Sequence, residues 1–405
     1  MNIKMIKMIL RYLFTINLSI KFLIVICFAL IFGQYLSLTL KSGFYALSLT
    51  LEEILMFTMP GVIFTFLFSC MLSFKKKALV FVSILFFTIC ISNFTSAILA
   101  YIFGILTLSQ MNLAFQSVQQ TSTLLLPLWT FELPHAISCE YALIIALGLG
   151  IVFIIYPSEQ VDRAAQKLRR WVNIFLEKVF SPLLPLFTLG FILKMQYEGT
   201  LVFIIQDYGP ILALIFAFCL IYLTSLYCIA AKFNLSQAYT YFKNVLPSGI
   251  MGFTTMSSIA TLPVTLRAAE KNTKNPIVSD AVISFTVNMH LIGDSLAIPI
   301  MALAILISFG HPLPMFGQYL FFAGYFVLCR FAVAAVPGGG ILIVLPILES
   351  YLGFSAEMSV LITTLFIIFD PLATAINVMG NGGFSILINQ FFKMRKNNIL
   401  LTPTS

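Results

Sequence analysis

Long apolar runs alternate along this chain with short polar punctuation, and the runs are too long and too uniformly oily for the core of a soluble domain. Apolar segments over residues 18–38, 54–74, 78–108, 141–156, 171–194 and 211–233 predict six helices, most of them close to the roughly 20 residues that cross a bilayer and the third longer. Pro60 falls in the second and Pro182 and Pro185 in the fifth, where the missing N–H predicts kinks. Residues 109–140, with Gln116, Gln119, Gln120, Pro127 and Pro134, predict an outside connection that partly dips back. After residue 233 the rhythm changes. Residues 236–265 are too interrupted for one clean span and return to the charged stretch 267–275, which predicts a hairpin entering and leaving by one face. Residues 277–309 predict a long span, 318–352 a second hairpin from the opposite face, and 360–392 the last span. Hairpin, helix, hairpin, helix is an inverted repeat in outline.

The residues that break these oily runs are themselves informative. They are Ser257-Ser258-Ile259-Ala260-Thr261-Leu262-Pro263-Val264-Thr265 and Val336-Pro337-Gly338-Gly339-Gly340. In lipid each unpaired backbone group costs several kcal/mol, so unwound chain survives there only when protein buries it or when it lines a wet cavity. Paired interruptions therefore predict a binding site at the hairpin tips, where loose N–H and C=O groups meet a ligand.

Composition agrees: of 405 residues, 60% are apolar and 9% charged, which excludes every soluble class and leaves room for about eight spans. A net charge of +8 raises the question of an anionic partner, but the distribution answers it. Lys4, Lys7, Arg11 and Lys21 surround the start of the first span, Lys75 to Lys77 follow the second, and Arg163, Lys167, Arg169 and Arg170 follow the fourth. Lys232 and Lys243 follow the sixth, and Lys393, Arg395 and Lys396 lie near the end, while residues 109–156 hold no Lys or Arg. This is the positive-inside pattern of a multi-pass protein of the cytoplasmic (inner) membrane with both termini in the cytoplasm, in contact with lipid and not with nucleic acid. The seven cysteines are scattered without a CxxC pair and support neither a disulfide framework nor a metal site. The first apolar stretch lacks a small-residue cleavage site and reads as a retained span.

Several polar residues stand inside the oily runs. Asp370 opens an apolar helical segment, where a charge costs a few kcal/mol, and Thr374 and Asn377 follow it at the i, i+4, i+7 spacing of one helix face. Such a face can bind a small zwitterion, an ammonium and a carboxylate satisfying each other; alternatively Asp370 caps a helix before Pro371, and Ser, Thr and Asn join neighbouring helices. His290 titrates near neutral pH in water, so it can couple transport to protons or be a packed, hydrogen-bonded residue. With Asp294, four residues on, it is also an acid/base pair for an intramembrane enzyme, although no nucleophile motif, metal cluster or phosphate loop accompanies it.

Three motifs in order, Ser-Ser-x-x-Thr-Leu-Pro-Val-Thr at 257–265, Val-Pro-Gly-Gly-Gly at 336–340 and Asp370-x-x-x-Thr374-x-x-Asn377-x-x-Gly380, resemble the dicarboxylate/amino acid:cation symporter family of glutamate and neutral amino-acid transporters. A weaker fourth is Asn288-Met289. The resemblance implies an all-α membrane protein of eight transmembrane helices plus two re-entrant hairpins, working as a homotrimer. Residues 1–235 would hold the first six spans, mostly scaffold, with spans 3 and 6 in the moving core. Residues 236–405 would form the substrate-binding core, which crosses the membrane like an elevator. By the same resemblance Asp370 grips the substrate amino group, Ser257 and Ser258 meet the α-carboxylate, Thr374 and Asn377 hold the amino-acid backbone, and Val336 and Gly340 belong to the gating hairpin. No cofactor is implied beyond sodium or a proton as coupling ion.

The chain departs from the family at informative places. The arginine that holds an acidic side chain is replaced by Met256 in the first hairpin and Ala373 in the last helix, which points to a neutral amino acid. Family aspartates at cation sites are His290 and Asn381 here, so the coupling set comprises Thr95, Ser96, Asn288, His290, Arg330 and Asn381, with sodium coupling by default and a proton-coupled or uncoupled exchanger as the alternative. Arg330 has three readings: a stand-in for a cation, a partner for a substrate carboxylate, or a residue paired with Glu349 or Asp294 or snorkelling outward.

Overall fold

The computed structural model describes residues 18–72, 79–111, 125–134, 137–198, 201–333 and 339–394, and among them every regular element is helical. α1 (Leu18–Phe32) passes through a 3-10 turn (Gly33–Tyr35) into α2 (Leu38–Leu72). α3 (Leu79–Leu108) and α4 (Cys139–Ile155) precede α5 (Glu159–Phe175), which a π-helical turn (Leu176–Phe180) joins to α6 (Ser181–Tyr197). α7 (Leu201–Ala230), α8 (Leu235–Thr255) and α9 (Ser258–Thr273) follow, then α10 (Pro276–Thr286) and α11 (Ile292–Ser308). α12 (Phe316–Arg330), the short α13 (Gly339–Leu342) and α14 (Leu345–Leu352) lead to α15 (Ala356–Met394).

Local chemistry explains where these helices differ from the apolar runs. α2 starts well before residue 54, and its early polar residues make tertiary contacts: Ser48 Oγ donates to the Leu186 carbonyl of α6 at 3.2 Å, and Trp129 Nε1, from a non-helical stretch, donates to Thr50 Oγ1 at 2.9 Å. The expected helix over 171–194 is two pieces, since Pro182 offers no N–H to the preceding turn and a π turn takes up the lost bond. The expected long span over 277–309 unwinds at residues 287–291, between α10 and α11.

Four stretches, Leu38–Leu72, Ser83–Leu108, Tyr208–Ala230 and Ala356–Phe392, are long and apolar enough to cross a bilayer, and four further apolar helices are shorter. The all-helical membrane class is therefore the one the apolar runs indicated, with interruptions keeping the remaining helices short.

Packing sorts the helices into two groups. α2 lies against α4, α5 and α6, and α1 against α6. α15 is the axis of the other group, touching α7, α8, α9, α10 and α11, while α3 covers α11 and α12. α11 is buried from Ile292 to Leu306 and, beyond Asp294 and Ser295 in its first turn, apolar on all sides through Ile307, as a helix sunk in the core must be. Between the groups Lys194 of α6 pairs with Glu357 of α15 and, at 3.5 Å, with Glu198 just past the end of its own helix; its amine also lies 5.4 Å from the Tyr45 ring centroid.

Gly190 sets the α2–α6 crossing: a Cβ there would fall 2.1 Å from the Phe44 carbonyl oxygen and 2.3 Å from Ser48 Oγ. Small residues permit such backbone approach. Gly190→Ala is therefore expected to cost about 1–3 kcal/mol, seen as a lower melting temperature of detergent-purified protein. Gly61→Ala, with nothing within 4 Å of its added methyl, should leave the melting temperature unchanged.

Candidate functional site

The unwound segment 287–291 leaves backbone groups inside the protein that need partners, and α3 supplies one. Asn93 Nδ2 donates to the Met289 carbonyl at 2.8 Å. His290, with no exposed surface, stacks on Phe384 at 4.2 Å between centroids and is held at both nitrogens: Nε2 lies 2.8 Å from Ser92 Oγ, and Nδ1 lies 2.7 Å from Asn381 Oδ1. An amide oxygen only accepts, so Nδ1 carries the proton; the Ser92 hydroxyl can then either donate to Nε2 or accept from it. Three elements, α3, the break and α15, thus meet on one imidazole.

One turn further on, a second polar cluster begins at the start of α11. Asp294 Oδ2 accepts from Arg330 Nη1 at 3.2 Å, and its Oδ1 accepts from Asn377 Nδ2 at 2.8 Å. Asn377 Oδ1 in turn accepts from the Gly293 N–H at 2.7 Å, one of the donors that a helix start leaves without an intrahelical partner. Arg330 is fully buried at the end of α12, its guanidinium carbon 4.1 Å from the Phe326 ring centroid, and Nη1 also donates to the Gly340 carbonyl at 3.2 Å. Gly340 has to be glycine here, since a Cβ would sit 2.5 Å from Asp294 Oδ2. Among the described residues Arg330 Nε and Nη2 have no acceptor, a debt of about 1–3 kcal/mol for each buried group.

The tip of the first hairpin faces the same helix, α15. α8 ends at Met256, whose left-handed φ of 51° reverses the chain, and Ser257 caps α9 by accepting from the Ala260 N–H at 3.2 Å. A Cβ at Gly249 would meet Met379, whereas one at Gly252 would meet Val378, the Thr374 carbonyl and Ala375, so α8 runs antiparallel to α15. Extending that register by one turn brings Met256 to the level of Pro371 and Asp370. Asp370 is half-buried and takes a 3.4 Å hydrogen bond from Thr374 Oγ1; Thr374 and Asn377 are buried below it.

Asp370 and Thr374 are hydrogen-bonded on α15, the register of α8 against that helix points the Ser257–Ser258 tip to their level, and His290 meets Asn381. Gly340 adjoins Arg330, and Val336 lies outside the described residues. Asn377 has its amide committed to Gly293 and Asp294, which makes it a brace between α15 and α11. Thr95 is exposed; Ser96 is buried and bonds the Ser92 carbonyl at 2.9 Å and the Tyr222 hydroxyl at 3.0 Å; Asn288 is half-buried in the break. Of the three readings of Arg330, the pairing with Asp294 is present. His290 and Asp294 do not pair: each belongs to its own cluster, so the acid/base dyad has no geometry behind it.

Sequence reasoning did not pick out Ser92 and Asn93, though Ser92 and Ser96 lie one turn apart in an otherwise oily helix, a visible polar stripe. Among the described residues no three His, Cys, Asp or Glu side chains gather as a metal site.

A buried polar seam between broken helices, in an all-helical protein with membrane-crossing stretches, is the architecture of an integral membrane transporter. Residues 18–391 match the sodium:dicarboxylate symporter family, and the chain belongs to that family. The family is one of transporters. The chain is similar to the serine/threonine transporter SstT of Acinetobacter baumannii (strain SDF), 24% identical over 257 residues that cover 62% of this chain and 62% of that protein.

Removing one member of a buried ion pair strands the other. Asp294→Ala should lose about 3–5 kcal/mol, whereas Asp294→Ala with Arg330→Met should regain most of it. Thermal unfolding of the single and double variants in detergent checks this; equal losses in both would show that the pair is not coupled.

Proposed function

We propose that the protein is a secondary active symporter of the cytoplasmic membrane that carries a neutral amino acid by alternating access, coupled to a cation. One observation carries the reading: α8 packs antiparallel on α15 through Gly249 and Gly252, a register that, extended by one turn, sets the serine-bearing tip at the level of Asp370, in a member of a symporter family. A carboxylate faced by hydroxyls and helix-end N–H groups is complementary to the ammonium and backbone of an amino acid. Met256 and Ala373, where an arginine would receive a second carboxylate, are both apolar and buried, which favours a neutral side chain. The relative named as a serine/threonine transporter fits that preference.

The two packing groups supply what alternating access requires, a body built on α15 and a body built on α2. Family resemblance adds a homotrimer, two re-entrant hairpins, and both termini in the cytoplasm. For the coupling ion, sodium is the family's default, and the buried Asn93 Oδ1, which has no donor among the described residues, is an oxygen suited to an alkali cation beside the break in α10–α11. A second reading rests on the Ser92–His290–Asn381 chain: because the serine hydroxyl can reverse, His290 can hold one proton or two without losing either partner.

Uptake of labelled serine, threonine and aspartate into proteoliposomes, with sodium and pH gradients imposed separately, tests the whole reading; no accumulation under either gradient would refute it. Asp370→Asn is expected to abolish uptake while leaving the protein monodisperse, and normal affinity in that variant would remove the ammonium assignment. His290→Gln is expected to remove any acceleration by a proton gradient while sparing sodium-driven uptake. An unchanged response to pH would eliminate the proton reading.

A further inference from the structure

α5 differs from the oily helices around it, because its polar and apolar positions lie on separate sides. One side is spent on the protein. Val161, Ala165 and Val172 pack inward, the Ala165 carbonyl accepts from Ser69 Oγ of α2 at 3.3 Å, and Arg169 lays its guanidinium carbon 5.7 Å from the Phe66 ring centroid. The opposite side holds Arg163, Lys167 and Arg170 at the i, i+4, i+7 spacing of one helix face, all exposed. Arg163 has Glu159 at 3.9 Å, a pair open to solvent that neutralises little, and Lys167 and Arg170 make no ion pair among the described residues.

Between these two sides runs an apolar edge that the protein leaves uncovered. Trp171 is 63% exposed and Leu168, three residues before it, 46%. The helix that precedes it explains the setting. α4 turns Ile144, Leu149, Val152 and Ile155 outward, and only Tyr156, Pro157 and Ser158 separate its end from the start of α5. α5 therefore begins where an apolar helix leaves the hydrocarbon, at the depth where tryptophan and long basic side chains meet headgroups.

We propose that Arg163, Lys167 and Arg170 form a binding surface for anionic phospholipid headgroups, with Leu168 and Trp171 inserted beside them among the upper acyl carbons. Charge selects the occupant. A zwitterionic lipid would cover the apolar edge and leave three cations unanswered, whereas an anionic headgroup answers both at once. A soluble polyanion would meet the cations and leave the tryptophan edge in water. Because Ser69 and Phe66 hold α5 on α2, lipid gripped here anchors the α2 group in the plane of the membrane while leaving the α15 group untouched. The assignment is independent of which substrate the protein carries.

The chain has two tryptophans, so Trp129→Phe makes Trp171 the sole indole reporter. The full-length variant is reconstituted in phosphatidylcholine vesicles containing increasing fractions of acyl-brominated phosphatidylglycerol or acyl-brominated phosphatidylcholine, and quenching of Trp171 is read. The brominated anionic lipid is expected to reach half-maximal quenching at a roughly five-fold lower mole fraction, the factor that one basic side chain at the surface supplies. In the background of Arg163→Gln, Lys167→Gln and Arg170→Gln the two curves should coincide. Should that variant fail to fold, raising sodium chloride from about 0.05 to about 1 M with the basic residues intact should close the gap instead. Equal quenching by both lipids before any charge is removed overturns the proposal, as does a preference that survives the triple substitution or the salt. Quenching by neither lipid also overturns it, since Trp171 would then face water or a second copy of the chain.

Discussion

A guanidinium with no exposed surface has to be neutralised where it lies, and Asp294 is what neutralises Arg330. The requirement reaches well beyond two residues. Arg330 ends α12, Asp294 opens α11, and Asn377 ties Asp294 to the middle of α15, so one ionic contact fixes three elements relative to each other. Gly293 and Gly340 are drawn into the same constraint: a Cβ on Gly293 would press to 2.5 Å on the Ala373 carbonyl, and one on Gly340 would strike the Asp294 carboxylate. In a low-dielectric interior such a cluster holds together only if nearly every member finds a partner. Among the described residues, the edge of Arg330 carrying Nε and Nη2 lacks an acceptor.

The second seam, around His290, answers a different demand. Where α10 stops and α11 has not begun, the chain exposes backbone that no helix satisfies, and α3 covers it with Asn93 and Ser92. The broken helix and the polar stripe on α3 are therefore parts of one device. Breaking a helix inside an oily body is tolerable because another helix carries the missing hydrogen-bond partners to it.

Much of this was legible beforehand. The breakers at 257–265 do mark a sharp reversal, and the i, i+4, i+7 pattern of Asp370, Thr374 and Asn377 does lie on one face. What could not be read is which polar residue meets which. Thr95 and Ser96 look equivalent in sequence, yet helix rotation turns Thr95 out and Ser96 in, and moves the contact with the break to Ser92 and Asn93. Arg330 allowed several partners because the distance from α12 to α11 is a tertiary fact. α2 was underestimated for a related reason: Ser48 and Thr50 look like loop residues until α6 and Trp129 are seen to use them.

Lys194 imposes a mechanical condition on the molecule. Its ammonium is the clasp between the helices around α2 and those around α15, reaching across to Glu357 and, at 3.5 Å, to Glu198 just past the end of its own helix. If one body slides past the other, Glu357 is carried away with α15, but the ammonium is never abandoned, because it can transfer its full attention to Glu198. Were the two groups to slide apart, the clasp would open by exchange rather than by rupture, with its grip set by a single side chain.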